Sequence, residues 1–244
     1  MLTLCNNSEQ LAFLPSDPYA ARVTALFETY GAGYDFALFW VQDIDGIPTA
    51  AISRIDGNMT VCTNENADYE EILHFVNAVG YQSLTCSYED MEKLGLEPSD
   101  SSFTVKFTGR KNIAKINSVN DYDKRKVYDL LCNCGFELGD YGAFLSDVCA
   151  RLNKGTASMI AAEENGSLRA CAFALFEGEK SVLLGAVATS PEARGRGYAS
   201  AIVSEIAERK SDKDVFLFCR NDSLADFYEK IGFEIVGKWA IRRN

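Results

Sequence analysis

Apolar positions along this chain change period several times, and each change marks an element. Ser181 to Thr189 reads SVLLGAVAT, an unbroken apolar run that predicts a buried strand. Just downstream, Ala199, Ile202, Val203, Ile206 and Ala207 recur at three- and four-residue steps, with Ser200, Ser204, Glu205 and Glu208 between them. That spacing predicts an amphipathic helix over Tyr198 to Lys210. A second strand, Val215 to Arg220, and a second helix, Ser223 to Ile231, follow. Leu224, Phe227, Tyr228 and Ile231 form the second helix's apolar stripe, Ser223 with Asp226 makes a capping-box-like start, and Gly232 is placed as a left-handed stop.

The same order of elements occurs earlier. The turn pairs Asp45-Gly46 and Asp56-Gly57 bracket a strand over Ile47 to Ile55, as Asn165-Gly166 and Glu177-Gly178 bracket Ser167 to Phe176. Met59 to Thr63, Tyr69 to Val79 and Ser83 to Ser87 then repeat the strand, helix and strand of the second half. Helix pairs are predicted ahead of both strand sets, at Ser8 to Tyr30 and Asp121 to Asn153. This repetition predicts two copies of one architecture, residues 1–110 and 111–244, with Gly109-Arg110-Lys111-Asn112 as a polar junction.

Chemistry concentrates between the strand ending at Thr189 and the helix beginning at Tyr198, where the chain reads Arg194-Gly195-Arg196-Gly197-Tyr198-Ala199. The first N–H groups of a helix have no internal partner and lie at the positive end of its dipole. A turn without bulky Cβ atoms lets a phosphate reach them. Gly195 and Gly197 supply that access, while Arg194 and Arg196 add charge. Between Thr63 and Tyr69 the first copy has no glycine and carries Glu65 and Asp68, which repel an anion, so one such site per chain is expected.

Arg194, Gly197 and Ala199 fill the fixed positions of the Q/R-x-x-G-x-G/A signature of the GCN5-related N-acetyltransferase (GNAT) superfamily. Pro191-Glu192 ahead of the loop and the closing block Tyr228-Glu229-Lys230-Ile231-Gly232-Phe233, with Asn221 seven residues before Tyr228, extend the likeness. The chain resembles that family specifically over residues 112 to 244 and only in architecture over residues 1 to 109. The resemblance implies an α/β fold of two tandem GNAT-like domains, each a bent mixed β-sheet flanked by helices, the first degenerate. It implies acetyl-CoA as cosubstrate, held by Arg194, Gly195, Arg196, Gly197, Tyr198 and Ala199, by the main chain of Val187, Ala188 and Thr189, and by Asn221. It implies Tyr228 as the acid that protonates the leaving thiolate, and an amine of a small molecule or peptide as the acceptor that attacks directly. A CoA-sensing or protein-binding module without catalysis is the alternative.

Composition narrows the partners. A formal net charge of −11 with no clustered Lys/Arg face excludes a nucleic-acid binder. The longest apolar stretches, Phe36 to Val41 and Ala170 to Phe176, are too short to span a bilayer, and polar residues from Asn6 to Gln10 interrupt any leader-like start, so a cytoplasmic protein, monomeric or weakly dimeric, is expected. The 8 cysteines sit mostly in apolar segments as reduced core residues; Cys132 and Cys134 diverge on a helix, and the single histidine, His74, is remote, so no metal is expected. The general base is not marked. Glu177 and Glu179 read as exposed turn residues, Asp140 and Tyr141 lie in the helix connection that would border an acceptor, and Cys219 has no histidine in its half to activate it.

Overall fold

The computed structural model describes residues 1–109, 113, 116–120 and 122–244. The junction expected at Arg110 to Asn112 therefore lies outside the described residues, as does Asp121 at the start of the second helix pair. In chain order the strands are β1 (Leu2–Leu4), β2 (Ala37–Ile44), β3 (Ile47–Ile55), β4 (Asn58–Thr63), β5 (Ser83–Ser87), β6 (Asp100–Phe107), β7 (Ser118–Val119), β8 (Ser158–Glu164), β9 (Ser167–Glu177), β10 (Ser181–Thr189), β11 (Asp214–Phe218) and β12 (Phe233–Arg243). The helices are α1 (Pro18–Tyr30), α2 (Tyr69–Val79), α3 (Tyr88–Lys93), α4 (Lys124–Asn133), α5 (Tyr141–Lys154), α6 (Tyr198–Arg209) and α7 (Asp222–Lys230). The first expected helix pair is instead a short 3₁₀ turn, Ser8–Leu11, capped by Asn7, and α1.

The described strands form one mixed sheet in the order β1-β2-β3-β4-β5-β12-β6-β11-β10-β9-β8-β7. From β2 and from β8 inward this order is symmetric. The strands β2, β3, β4 and β5 of the first half correspond to β8, β9, β10 and β11 of the second, and the last strand of each half has crossed to the other. Thus β6 pairs with β11 through Phe216↔Lys106, β12 pairs with β5 through Ala240↔Cys86, and β6 and β12 pair with each other through Ile241↔Asp100. The two copies are interlocked in one sheet rather than standing side by side.

Strand alternation divides the core between the two faces. On β9, Ala170, Ala172 and Ala174 pack against α6, whereas Cys171 and Phe173 face α4 and α5. On β2, Phe39 and Val41 meet Val23, Leu26 and Phe27 of α1, whereas Trp40 joins Ile72 and Val76 of α2. Helix α1 touches β3 and β4 on one side and β9 and β10 on the other, so the sheet wraps around it. Fully burying a side chain such as Phe39, Ile52 or Ile202 stabilises the fold by about 1.5–3 kcal/mol each. Among the described residues no helix is long and apolar enough to cross a membrane.

Candidate functional site

Strands β10 and β11 run parallel from Ser181↔Asp214 to Leu184↔Leu217, and no pair follows. From Gly185 onward β10 leaves its neighbour, and the sheet opens there. At the same point the pairing of β10 with β9 slips by one residue between Gly185↔Phe173 and Ala188↔Cys171. Ala186 sits in this bulge at φ +48, a conformation that a residue with a Cβ adopts only when its surroundings impose it. The bulge takes Ala186 and Val187 out of the β9 ladder, which resumes at Ala188↔Cys171 and Thr189↔Ala170, beside the opening. Two residues beyond β10, a 3₁₀ turn, Pro191–Ala193, leads into the glycine loop.

Gly195 (φ +74) and Gly197 (φ +84) are both left-handed, and a Cβ built on either meets nothing within 4 Å. Conformation and access both call for glycine. Gly197 is the residue before the first turn of α6, it offers no side-chain cap, and that turn holds no acidic residue. The other α-helices among the described residues each have a capping side chain: Asp17, Asp68, Ser87, Asp123, Asp140 and Asn221. Within α6 the first internal bond runs from the Ala201 N–H to the Gly197 carbonyl at 3.0 Å, leaving the earlier amides open.

The flanking residues take roles that the sequence only partly marks. Tyr198 is 9% exposed, and its ring packs in the core with Ile202 and Val203. Arg196 is paired with Glu164 and lies over the Tyr198 ring at 5.3 Å. It is not the free charge expected of it, and its guanidinium holds the Glu164 carboxyl below the usual carboxylate range. Arg194 is exposed and donates from Nε to the Thr189 carbonyl at 3.4 Å, tying the loop back to the end of β10.

On the other side of the opening, Asn221 caps α7, its Oδ1 accepting from the Leu224 N–H at 3.0 Å. The cap is therefore Asn221 rather than Ser223, because Asn221 is the last extended residue before the helix (φ −163). This leaves only the amide NH₂ of Asn221 to meet a ligand. Tyr228, on α7, is 4% exposed, packs edge-on to Phe233 at 5.7 Å and shares its core with Cys219. Burial, then the neighbouring Cys219 thiol, push its phenol well above the ordinary value, so it stays protonated at neutral pH. Burial likewise pushes the Cys219 thiol up to about 12, which leaves it an un-ionised core residue. Gly232 closes α7 at φ +103, where a Cβ would stand 1.9 Å from the Gly109 carbonyl oxygen.

Two of the carboxylates named as candidate bases are engaged in the fold. Asp140 accepts from the Gly142 and Ala143 amides as the cap of α5. Glu177, expected to be an exposed turn residue, is instead 7% exposed at the end of β9 and paired with Lys210, because the hairpin turns its carboxylate under the C-terminus of α6. His74 lies exposed on α2. No group of three or more His, Cys, Asp or Glu that could hold a metal occurs among the described residues.

The corresponding place in the first half is sealed. Strands β4 and β5 also part after Thr60↔Thr85. There Asp68 caps α2 by accepting from the Glu71 N–H at 3.0 Å, and Gln42 bonds to both Asp68 and Glu71. Below the parted strands, Asp90 accepts from Thr63 at 2.9 Å and from the Tyr69 hydroxyl at 2.7 Å. Where α6 has no side-chain cap, α2 holds the Asp68 carboxylate on its Glu71 amide.

An uncapped, glycine-led helix at a parted and bulged strand pair defines the class. Residues 155–235 match the acetyltransferase (GNAT) domain. That stretch of the second half is similar to the GNAT domain, and the whole chain shares its fold with a tandem GNAT protein. Solved structures that share it over its length include a tandem GNAT protein from the clavulanic acid biosynthesis pathway, 12% identical with a TM-score of 0.59 over 99% of this chain and 97% of that one. A GNAT-family acetyltransferase from Colwellia psychrerythraea is 10% identical with a TM-score of 0.58 over 100% of both chains. A GCN5-related N-acetyltransferase from Sphaerobacter thermophilus is 15% identical with a TM-score of 0.54, covering 100% of this chain and 95% of that one. At these identities the likeness is one of fold. No curated protein matches the sequence.

Proposed function

We propose that the chain is an N-acyltransferase that moves an acetyl group from acetyl-CoA to an amine by direct attack, at one site in the second half. The observation that carries this reading is the start of α6, whose open amides and left-handed glycines suit a diphosphate. Backbone amides from Tyr198 to Ser200 would hold the diphosphate, with Arg194 adding charge. The bulged main chain at Val187 to Thr189 would line the pantetheine arm like an added strand. Bound there, acetyl-CoA supplies an activated thioester carbonyl.

The residues of the chain prepare for that chemistry in three ways. A β10 amide released from the ladder at the bulge would donate to the oxygen on which charge develops. The Tyr228 phenol, kept protonated by burial, is a proton donor for the thiolate, and the apolar core around it excludes water. Amine deprotonation has no dedicated carboxylate, since Asp140 and Glu177 are engaged elsewhere, so the acceptor enters as the free amine or loses its proton to water. The exchanged strands join the two halves within one chain, which fits a cytoplasmic monomer in which the first half walls the acceptor side instead of a dimer partner.

Following thiol release from acetyl-CoA across a panel of small and peptide amines tests this. Turnover is expected with at least one amine, and Tyr228→Phe is expected to lower kcat about 10²- to 10⁴-fold while leaving CoA affinity unchanged. A fully active Tyr228→Phe refutes the assigned acid. The lack of a poised base favours a second reading, a CoA-binding module without catalysis. CoA binding with no thiol release from any amine would establish that reading instead.

A further inference from the structure

A cavity of about 1110 Å³ lies between α1 of the first half and α5 of the second, at the Phe176 end of β9. It is separate from the transfer site. Phe176 pairs with Leu183 on β10, and Val187 lies four residues further along, roughly 13 Å at the rise of an extended strand. Part of its polar lining is used by neither the fold nor the transfer reaction.

Two guanidiniums converge on the Phe176 ring, Arg22 from α1 at 5.3 Å and Arg151 from α5 at 5.1 Å. Arg151 is paired with Asp147, which also accepts from the Tyr30 hydroxyl at 2.5 Å, and donates from Nη1 to the Leu175 carbonyl at 3.3 Å, so Arg22 carries the open fork. Arg22 has neither an ion pair nor a hydrogen bond among the described residues, and the Nε atoms of both arginines are buried without a partner. Burial and the neighbouring Arg151 charge pull the Arg22 pKa down to about 10. An unpaired cation held beside a like charge in low dielectric is costly unless an anion joins it.

We infer that this cavity is a binding site for an organic carboxylate with a flat apolar body, its carboxylate between Arg22 and Arg151 and its body against the aromatic rim. Charge selects a carboxylate over a phosphate. Arg22, Arg151 and Lys154 line the cavity together with Asp56 and Asp147, leaving one positive charge, which a carboxylate neutralises and a phosphate near −2 exceeds. The planar fork of a guanidinium also matches a carboxylate in two parallel hydrogen bonds. The rim selects the body. Tyr34 is 53% and Phe36 38% exposed at the mouth, and both rings meet the Tyr30 ring edge-to-face. Because residues of both halves line it, occupancy there braces α1 against α5.

Calorimetric titration of the full-length chain with benzoate, benzamide and inorganic phosphate tests the site. Benzoate is expected to bind at least 10-fold more tightly than the isosteric but neutral benzamide, and more tightly than phosphate. Arg22→Gln is expected to erase the benzoate preference, and Ala150→Phe, which fills the cavity from α5 and keeps both guanidiniums, to lower benzoate affinity at least 10-fold. With its unpaired cation removed, ligand-free Arg22→Gln is expected to melt at or above the wild-type temperature. Equal binding of benzoate and benzamide, a preference for phosphate, or a benzoate preference that survives Arg22→Gln overturns the inference. A marked loss of stability in ligand-free Arg22→Gln overturns it too, because the guanidinium would then have a structural partner.

Discussion

Gly197→Val separates the cost of a backbone conformation from the cost of blocking a ligand. At φ +84 the protein itself leaves the added side chain room, so the penalty in the free chain is the left-handed conformation, about 1–2 kcal/mol for a residue with a Cβ. For a chain of 244 residues this lowers the melting temperature by about 2–8 °C. Gly155, the residue closing α5, has nearly the same conformation (φ +72), equal room, and a position at the far end of β9 from the bulge. Gly155→Val should therefore lose the same stability. Only at Gly197 does the side chain stand over the open amides of α6, and losing one charge-assisted hydrogen bond there costs about 1.5–3 kcal/mol. Calorimetry should accordingly show CoA affinity reduced about 10- to 150-fold by Gly197→Val and unchanged by Gly155→Val. Equal affinities in the two variants, with equal losses of stability, would mean that the turn is glycine for conformation alone.

Other expectations rest on different parts of the fold. Asn221→Ala removes the cap of α7 and should cost about 1 kcal/mol, read as a fall of about 2–4 °C in melting temperature, whereas Asn221→Asp should restore it. Residues 1–109 and 113–244 expressed as separate chains should each aggregate, and should yield a soluble one-to-one complex when expressed together, because each half completes its sheet with the other's last strand; a stable monomer of 113–244 contradicts this. Burial raises the Cys171 and Cys219 thiols to about 12, so the folded state keeps protons that the unfolded state gives up above about pH 8.5. Below that pH these thiols do not affect stability; above it stability falls by up to about 1.4 kcal/mol per pH unit for each. Denaturant titrations at pH 7, 9 and 10 check the sign, and alkylation of the native protein at pH 8 should label the exposed Cys132 before either buried thiol.

Much of this architecture is legible in the sequence because the periods are strong where one face is buried. The limits predicted for the Ile47 strand, the Tyr69 helix, the Ser83 strand and the Ser181 strand coincide with β3, α2, β5 and β10. The exchange of β6 and β12 is not legible. In β12 the exposed run Glu234 to Lys238 includes Ile235 and Val236, so no alternating stripe marks it, whereas β6 alternates at Phe103, Val105 and Phe107 only after the exposed Asp100 and Ser101. Period also carries no record of which strand a partner is. The glycine turn is visible because glycine is read directly from the chain, while the pairing of Arg196 with Glu164 and of Glu177 with Lys210 depends on strands and helices meeting far apart in sequence. Asn221 is a nearer miss: Asn is as good a cap as Ser, and only backbone geometry chooses between positions two residues apart.

The central claim, that the open amides at the start of α6 hold the diphosphate of an acyl donor, is tested most directly by the crystal structure of the full chain grown with CoA. The account predicts one CoA per chain, its diphosphate against the amides of Tyr198 to Ser200 and its pantetheine arm alongside Val187 to Thr189. A diphosphate located at the capped start of α2, a second copy there, or CoA bound elsewhere on the chain contradicts it.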